Sequence, residues 1–113
     1  MHLQKKWGPG CHFFGHGSSS DLDEIENILK DALATSSDSP PVFAFFTEIP
    51  SNPLLRTPDL ARLRALADKY DIPIILDDTI SNLVNVDVLA YADILATSLS
   101  KIFSGAVNVT GGR

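Results

Sequence analysis

Residues 72–79, Ile-Pro-Ile-Ile-Leu-Asp-Asp-Thr, and residues 94–105, Ile-Leu-Ala-Thr-Ser-Leu-Ser-Lys-Ile-Phe-Ser-Gly, decide how this chain is read. Each begins as a short, continuous apolar run and ends in polar residues. Unbroken rather than alternating apolar character suits a strand buried on both faces of a parallel sheet. The spacing predicts strands at Ile72–Leu76 and Asp93–Thr97, with a third at Val42–Phe46, where Phe43, Phe45 and Phe46 read as core.

Between these runs lie helical patterns. Leu22, Ile25, Ile28, Leu29, Ala32 and Leu33 recur at helical spacing behind Ser20, which reads as a cap followed by Asp21, Asp23 and Glu24 in the first turn. Leu60, Leu63, Ala67 and Tyr70 repeat the pattern to about Asp71, with Thr57 as cap and Pro58 in the first turn. Phe13 to Ser20 reads as a strand end and flexible turn, and Thr35 to Pro41 as loop. Asp78 to Asp87 shows no period. The pattern is α/β, a mostly parallel sheet with flanking helices.

That fold predicts where chemistry sits. The polar clusters Glu48–Asn52, Asp77–Thr79 and Ser98–Lys101 each follow the end of a predicted strand. Open α/β sheets bind ligands outside those ends. Lys101 is the candidate nucleophile, activated if neighbours such as Ile102 and Phe103 desolvate it; the alternative is a solvated loop lysine. Ser98 and Ser100 present alternate hydroxyls suited to a phosphate. Asp77 could hold a pyridinium nitrogen protonated, or with Asp78 bind Mg²⁺, or cap the next segment. Lysine, hydroxyls and aspartate together are the parts a pyridoxal phosphate enzyme needs. Gly15-His16-Gly17-Ser18 could cradle an anion or simply turn the chain. Cys11, His12 and His16 include metal-ligand types but no second pair completes a zinc set, so no metal is expected.

Composition sets the remaining bounds. The 113 residues, 44% of them hydrophobic, supply about one domain. A net charge of −5 argues against nucleic acid and anionic membranes as partners. The single Cys11 excludes an internal disulfide framework. No apolar run approaches the ~20 residues of a membrane span, and Met1 to Gly10 does not read as a secretory signal. A soluble cytoplasmic protein is expected. Trp7 and Phe13-Phe14 come early and the chain stops at Thr110-Gly111-Gly112-Arg113, so the reading expects a piece of a larger protein or a shortened gene model.

The motifs also resemble a family. Glu48-Ile49-Pro50-Ser51-Asn52-Pro53-Leu54 is similar to E-x-P-x-N-P-L of the cystathionine γ-synthase group, the trans-sulfuration enzymes of cysteine and methionine metabolism, in their fungal branch. Leu76-Asp77-Asp78-Thr79 resembles V-D-[NE]-T, Ser98-Leu99-Ser100-Lys101 resembles S-x-T-K, and Asn108-Val109-Thr110-Gly111-Gly112 resembles N-V-x-G-G. Order and spacing agree from about residue 42 to 112. The resemblance implies part of the large domain of a fold-type I, aspartate aminotransferase-like, pyridoxal 5′-phosphate-dependent transferase over residues 1–113, without its C-terminal domain and N-terminal arm.

It implies Lys101 as the Schiff-base lysine and proton shuttle, and Asp77 on the pyridine nitrogen. Thr79 would lie near the ring, Ser98 and Ser100 on the phosphate, and Asn52 near the phenolic oxygen and substrate carboxylate. The implied reaction is γ-replacement, in which cysteine displaces the acyl group of an O-acyl-homoserine to give cystathionine. The implied substrates are small amino acids, and the full-length form a homo-oligomer. Ser100 stands for a commoner Thr, Asp78 for Asn or Glu, Ala106-Val107 for a polar pair and Thr110 for Met. These departures bear on substrate preference more than on cofactor binding. A catalytically inactive remnant serving as a binding or oligomerisation module, a related β/γ-lyase or sulfhydrylase, and a metal-dependent α/β enzyme using Asp77 and Asp78 are the alternatives.

Overall fold

Strand β2, Ile74–Asp77, is the middle of a three-stranded parallel sheet, between β1, Phe45–Glu48, and β3, Ile94–Ala96. The structure is a computed structural model and describes residues 10–35 and 42–112. Helix α1 spans Ser19–Thr35 and α2 spans Leu60–Tyr70; a single 3₁₀ turn, Leu89–Tyr91, precedes β3, and a wide π-type turn, Leu99–Phe103, follows it. The readings placed on Met1 to Pro9, Trp7 among them, and on residues 36–41 lie outside the described residues.

Strands β1 and β2 start three and two residues later than their apolar runs, and β3 lies within its own. Pro73 has no N–H to offer a ladder, so β2 starts at Ile74, and β1 joins it only from Phe45, whose N–H donates to the Pro73 carbonyl. In-register rungs then run Phe46–Ile75–Ile94, Thr47–Leu76–Leu95 and Glu48–Asp77–Ala96. Alternation turns successive residues to opposite faces. Ile74 and Leu76 are fully buried and pack with Leu63, Leu66 and Ala67 of α2 and Leu22 of α1. Each such side chain contributes about 1.5–3 kcal/mol.

Among the described residues, helices cover one face only. On the other face Phe46 is 68% exposed and Ile94 54%. Phe43 is exposed too, so of the three phenylalanines expected in the core only Phe45 packs against it. Phe13 and Phe14 form no strand end, and Phe13 is exposed.

Both helix starts differ from expectation. Ser18, not Ser20, begins α1: its carbonyl accepts the Leu22 N–H, its hydroxyl accepts the Asp21 N–H, and its own N–H and hydroxyl donate to the Asp21 carboxylate. This reciprocal pairing needs an acid three residues on, which Ser18 has in Asp21. Helix α2 is capped by Asp59 rather than Thr57, its carboxylate accepting the Arg62 N–H at 2.9 Å. Asp71 ends it in the left-handed conformation at φ 54°, and Ile72 N–H closes on the Ala67 carbonyl. Among the described residues no helix is long and apolar enough to cross a membrane.

Candidate cofactor site

The carboxyl ends of the three strands open onto one cleft of about 200 Å³, lined by Glu48, Pro50, Asn52, Asp77, Thr79, Ile80, Ser98 and Lys101. The predicted convergence of the three polar clusters is therefore present. It follows from strand alternation: Glu48 and Asp77 occupy one rung on the face that carries no helix.

Each loop is fixed by short-range bonds. The Asn52 N–H donates to Glu48 Oε2 at 3.1 Å, folding the Glu48–Asn52 turn, in which Ile49–Pro50 and Asn52–Pro53 are cis. Arg56 closes that loop, its carbonyl accepting the Ser51 N–H at 2.8 Å. The Thr79 N–H donates to Asp77 Oδ1 at 2.9 Å, and the Thr79 hydroxyl oxygen accepts the Ser98 N–H at 2.9 Å. On the far side of the lysine turn, Leu99 N–H donates to the Gly111 carbonyl, and Ser98 bridges Gly112.

Five of the six candidate residues line the cleft. Ser100 does not; its hydroxyl oxygen takes the Gly111 N–H at 3.4 Å. Lys101 stands inside the π-type turn with a non-helical backbone, φ −95° and ψ −121°. The desolvation expected from Ile102 and Phe103 is absent: Lys101 is exposed, and the two apolar side chains are 50% and 65% exposed.

Glu48, Pro50 and Ile80 are cleft residues that sequence reasoning did not single out as site residues. The signal for Glu48 was available, because a strand ending in Thr47-Glu48 beside Leu76-Asp77 puts both acids on one rung.

Asp78 has a separate fate. It is fully buried, and its carboxylate accepts the Thr97 hydroxyl. Asp77 and Asp78 thus point to opposite faces, which overturns their shared use for Mg²⁺. Among the described residues no group of three His, Cys, Asp or Glu could hold a metal ion. The Gly15–Ser18 turn is filled from within: the His16 and Ser18 N–H groups donate to Asp21 Oδ2. Desolvation opposes ionisation of Asp21, but the Ser18 hydroxyl and the Ser18, His16 and Gly17 N–H groups outweigh it and hold the carboxyl below its ordinary range.

A larger cavity of about 320 Å³ lies at the amino ends of the strands, among Arg64, Asp68, Asp71, Pro73 and Asp93. Its arginine is spent on Asp68 and Asp93, at 2.8 and 2.7 Å. The carboxyl-end cleft offers the chemistry: an amine, an amide, two hydroxyls and two carboxylates around one space. That donor set suits a ligand with a phosphate and a protonated ring nitrogen, as pyridoxal phosphate has.

Comparison with known proteins agrees. The family model for Cys/Met metabolism PLP-dependent enzymes matches residues 17–113. A cystathionine gamma-synthase-like enzyme of Amanita muscaria is 63% identical over 112 residues, 99% of this chain and 18% of that protein. The cystathionine gamma-synthase of Neurospora crassa is 47% identical over 113 residues, 99% of this chain and 17% of that protein. The chain therefore spans less than a fifth of the length of these curated relatives. A solved Campylobacter jejuni structure, assigned as an O-acetylhomoserine (thiol)-lyase and carrying N′-pyridoxyl-lysine-5′-monophosphate, superposes with a TM-score of 0.63 at 28% identity, covering 80% of this chain and 21% of that one. The fold expected from the resemblance, a part of a fold-type I PLP-binding domain, is the fold observed.

Proposed function

Because the chain belongs to the Cys/Met metabolism PLP-dependent enzyme family, we propose that its carboxyl-end cleft is the centre of a cofactor site serving cystathionine γ-synthase-like γ-replacement. The observation that carries this reading is the meeting of Asp77, Thr79, Ser98, Lys101 and Asn52 around one space. Bound there, pyridoxal phosphate supplies an electron sink for carbanion chemistry on an amino acid.

The chain's own residues divide the work. Lys101 would hold the cofactor through its Nζ and would carry a proton at that nitrogen between neighbouring carbons of the substrate. Asp77, one oxygen held by the Thr79 N–H, would pair with the ring nitrogen and keep it protonated. Ser98 would bind the phosphate, whereas Ser100, which does not line the cleft, has its hydroxyl oxygen on the Gly111 N–H. Asn52 orients the phenolic oxygen and the substrate carboxylate.

In the net reaction the cysteine sulfur forms a bond to the γ-carbon of an O-acyl-homoserine, and the carboxylate of the acyl group leaves. The chain is the central part of the cofactor domain, and the remainder of the site, with the second domain, comes from polypeptide beyond it. The complete protein works in the cytoplasm as a homo-oligomer. The Campylobacter likeness keeps one second reading, a thiol-lyase acting on O-acetylhomoserine with the same central parts.

The test is a titration of the chain with pyridoxal phosphate beside Lys101→Ala, followed by borohydride reduction and peptide mapping. One pyridoxyl group on Lys101, absent from the variant, is the expected result. Equal labelling of both proteins, or none in the unaltered chain, overturns the assignment. Cystathionine formed from cysteine and an O-acyl-homoserine by the longest polypeptide carrying this sequence supports γ-replacement. Homocysteine formed from sulfide instead supports the thiol-lyase.

A further inference from the structure

We infer that Thr79 is a positioning residue whose hydroxyl fixes where the Lys101 turn stands relative to Asp77. The inference rests on the functional reading above only in taking Lys101 and Asp77 to act on one ligand.

Thr79 touches both sides of the cleft. Its N–H holds Asp77 Oδ1 and its hydroxyl oxygen accepts the Ser98 N–H, both at 2.9 Å. No regular ladder does this job: strand pairing between β2 and β3 ends at the Asp77–Ala96 rung, and only the Asp78 N–H to Ala96 carbonyl bond extends it. Beyond Thr97 the backbone leaves the sheet for a turn closed by bonds within itself, Lys101 N–H to the Ser98 carbonyl at 3.4 Å, Ser104 N–H to the Leu99 carbonyl at 3.1 Å and Gly105 N–H to the Lys101 carbonyl at 3.2 Å. Such a turn keeps its own shape but takes its position relative to the sheet from outside contacts. Gly111 supplies one, through Leu99, and Thr79 supplies the one that faces Asp77.

The residue type fits the task. A β-branched side chain has few χ1 states, so the half-buried Thr79 hydroxyl is held in place at little entropic cost. Valine keeps that shape and stiffness but removes the acceptor, while serine keeps the acceptor and frees χ1.

The experiment is residue-resolved amide exchange on the whole 113-residue chain, with Thr79→Val and Thr79→Ser. Loss of one hydrogen bond should speed Ser98 amide exchange about tenfold in Thr79→Val, leaving α2 and β2 unchanged. Thr79→Ser should return Ser98 close to its original rate. The rate at which Lys101 takes up pyridoxal phosphate, trapped by borohydride across pH, should fall in the valine variant and recover in the serine one.

Unchanged Ser98 exchange in Thr79→Val overturns the inference. So does faster exchange spread evenly over the chain, which marks a general loss of stability, and so does failure of serine to restore Ser98 protection. If exchange responds as expected but Lys101 takes up no cofactor even in the unaltered chain, the positioning stands and the functional reading fails.

Discussion

At Asp93 a single carboxylate oxygen takes two donors, the Ile74 N–H at 2.8 Å and the Arg64 guanidinium at 2.7 Å. The backbone bond from Ile74 first, and Arg64 second, hold this carboxyl below its ordinary range. A lowered folded-state pKa contributes stability that is fully present above the unfolded value, near pH 4, and is lost as pH falls through the lower folded value. Asp93→Asn should therefore show a shallower loss of urea resistance than the unaltered chain as the pH falls below about 4. Asp21 and Glu26, also lowered, keep some acid dependence in both. Identical slopes would refute the assignment to Asp93. At this scale the sequence was legible where side-chain type sufficed: Asp77, Lys101, Asn52, Thr79 and Ser98 reached the cleft as expected. It was not legible where local backbone geometry decides direction. Ser100 and Ser98 are two residues apart, yet the π-type turn sends one hydroxyl to Gly111 and leaves the other beside Lys101.

Helix α2 shows how elements take their limits from capping rather than from apolar spacing. Thr57-Pro58 has the composition of a helix start, but the Asp59 carboxylate reaches the Arg62 N–H and sets the beginning two residues later. Asp59→Ala should cost about 1 kcal/mol in urea denaturation, and Asp59→Ser much less. A cost equal for both would mean that the acid acts through charge and not through its bond to Arg62. The periodicity of Leu60, Leu63, Ala67 and Tyr70 located the helix body because those residues meet the sheet. The strands were found but displaced, since apolar runs mark burial whereas ladders depend on donors, and Pro73 has none. Phe43 and Phe46 misled for a related reason: an unbroken apolar run anticipates two covered faces, and the described residues cover one.

The whole molecule therefore presents an apolar face beside its cleft, with Phe46 and Ile94 uncovered and Ile75 half-buried between them. Parallel sheets are otherwise covered on both faces, and contiguous apolar surface promotes association. The chain alone should self-associate at micromolar concentration. Phe46→Thr with Ile94→Thr should shift its sedimentation toward monomer while moving the thermal midpoint by only a few degrees, because exposed positions add little to the core. Threonine keeps strand preference, so loss of folding is not the expected result. An unaltered sedimentation profile would place the association elsewhere.

Consecutive acids with opposite neighbours have a consequence for how this stretch tolerates insertion and deletion. Asp77 meets the cleft and Asp78 the buried Thr97 only because the backbone reverses side at every residue. Removing or adding one residue between Pro73 and Leu76 would barely alter the local composition. It would exchange the two acids, sending the cleft-facing carboxylate into the interior and the interior one out to the cleft. Length in this segment is thus as tightly constrained as identity, and a frame of one residue separates a working cleft from a misassembled one.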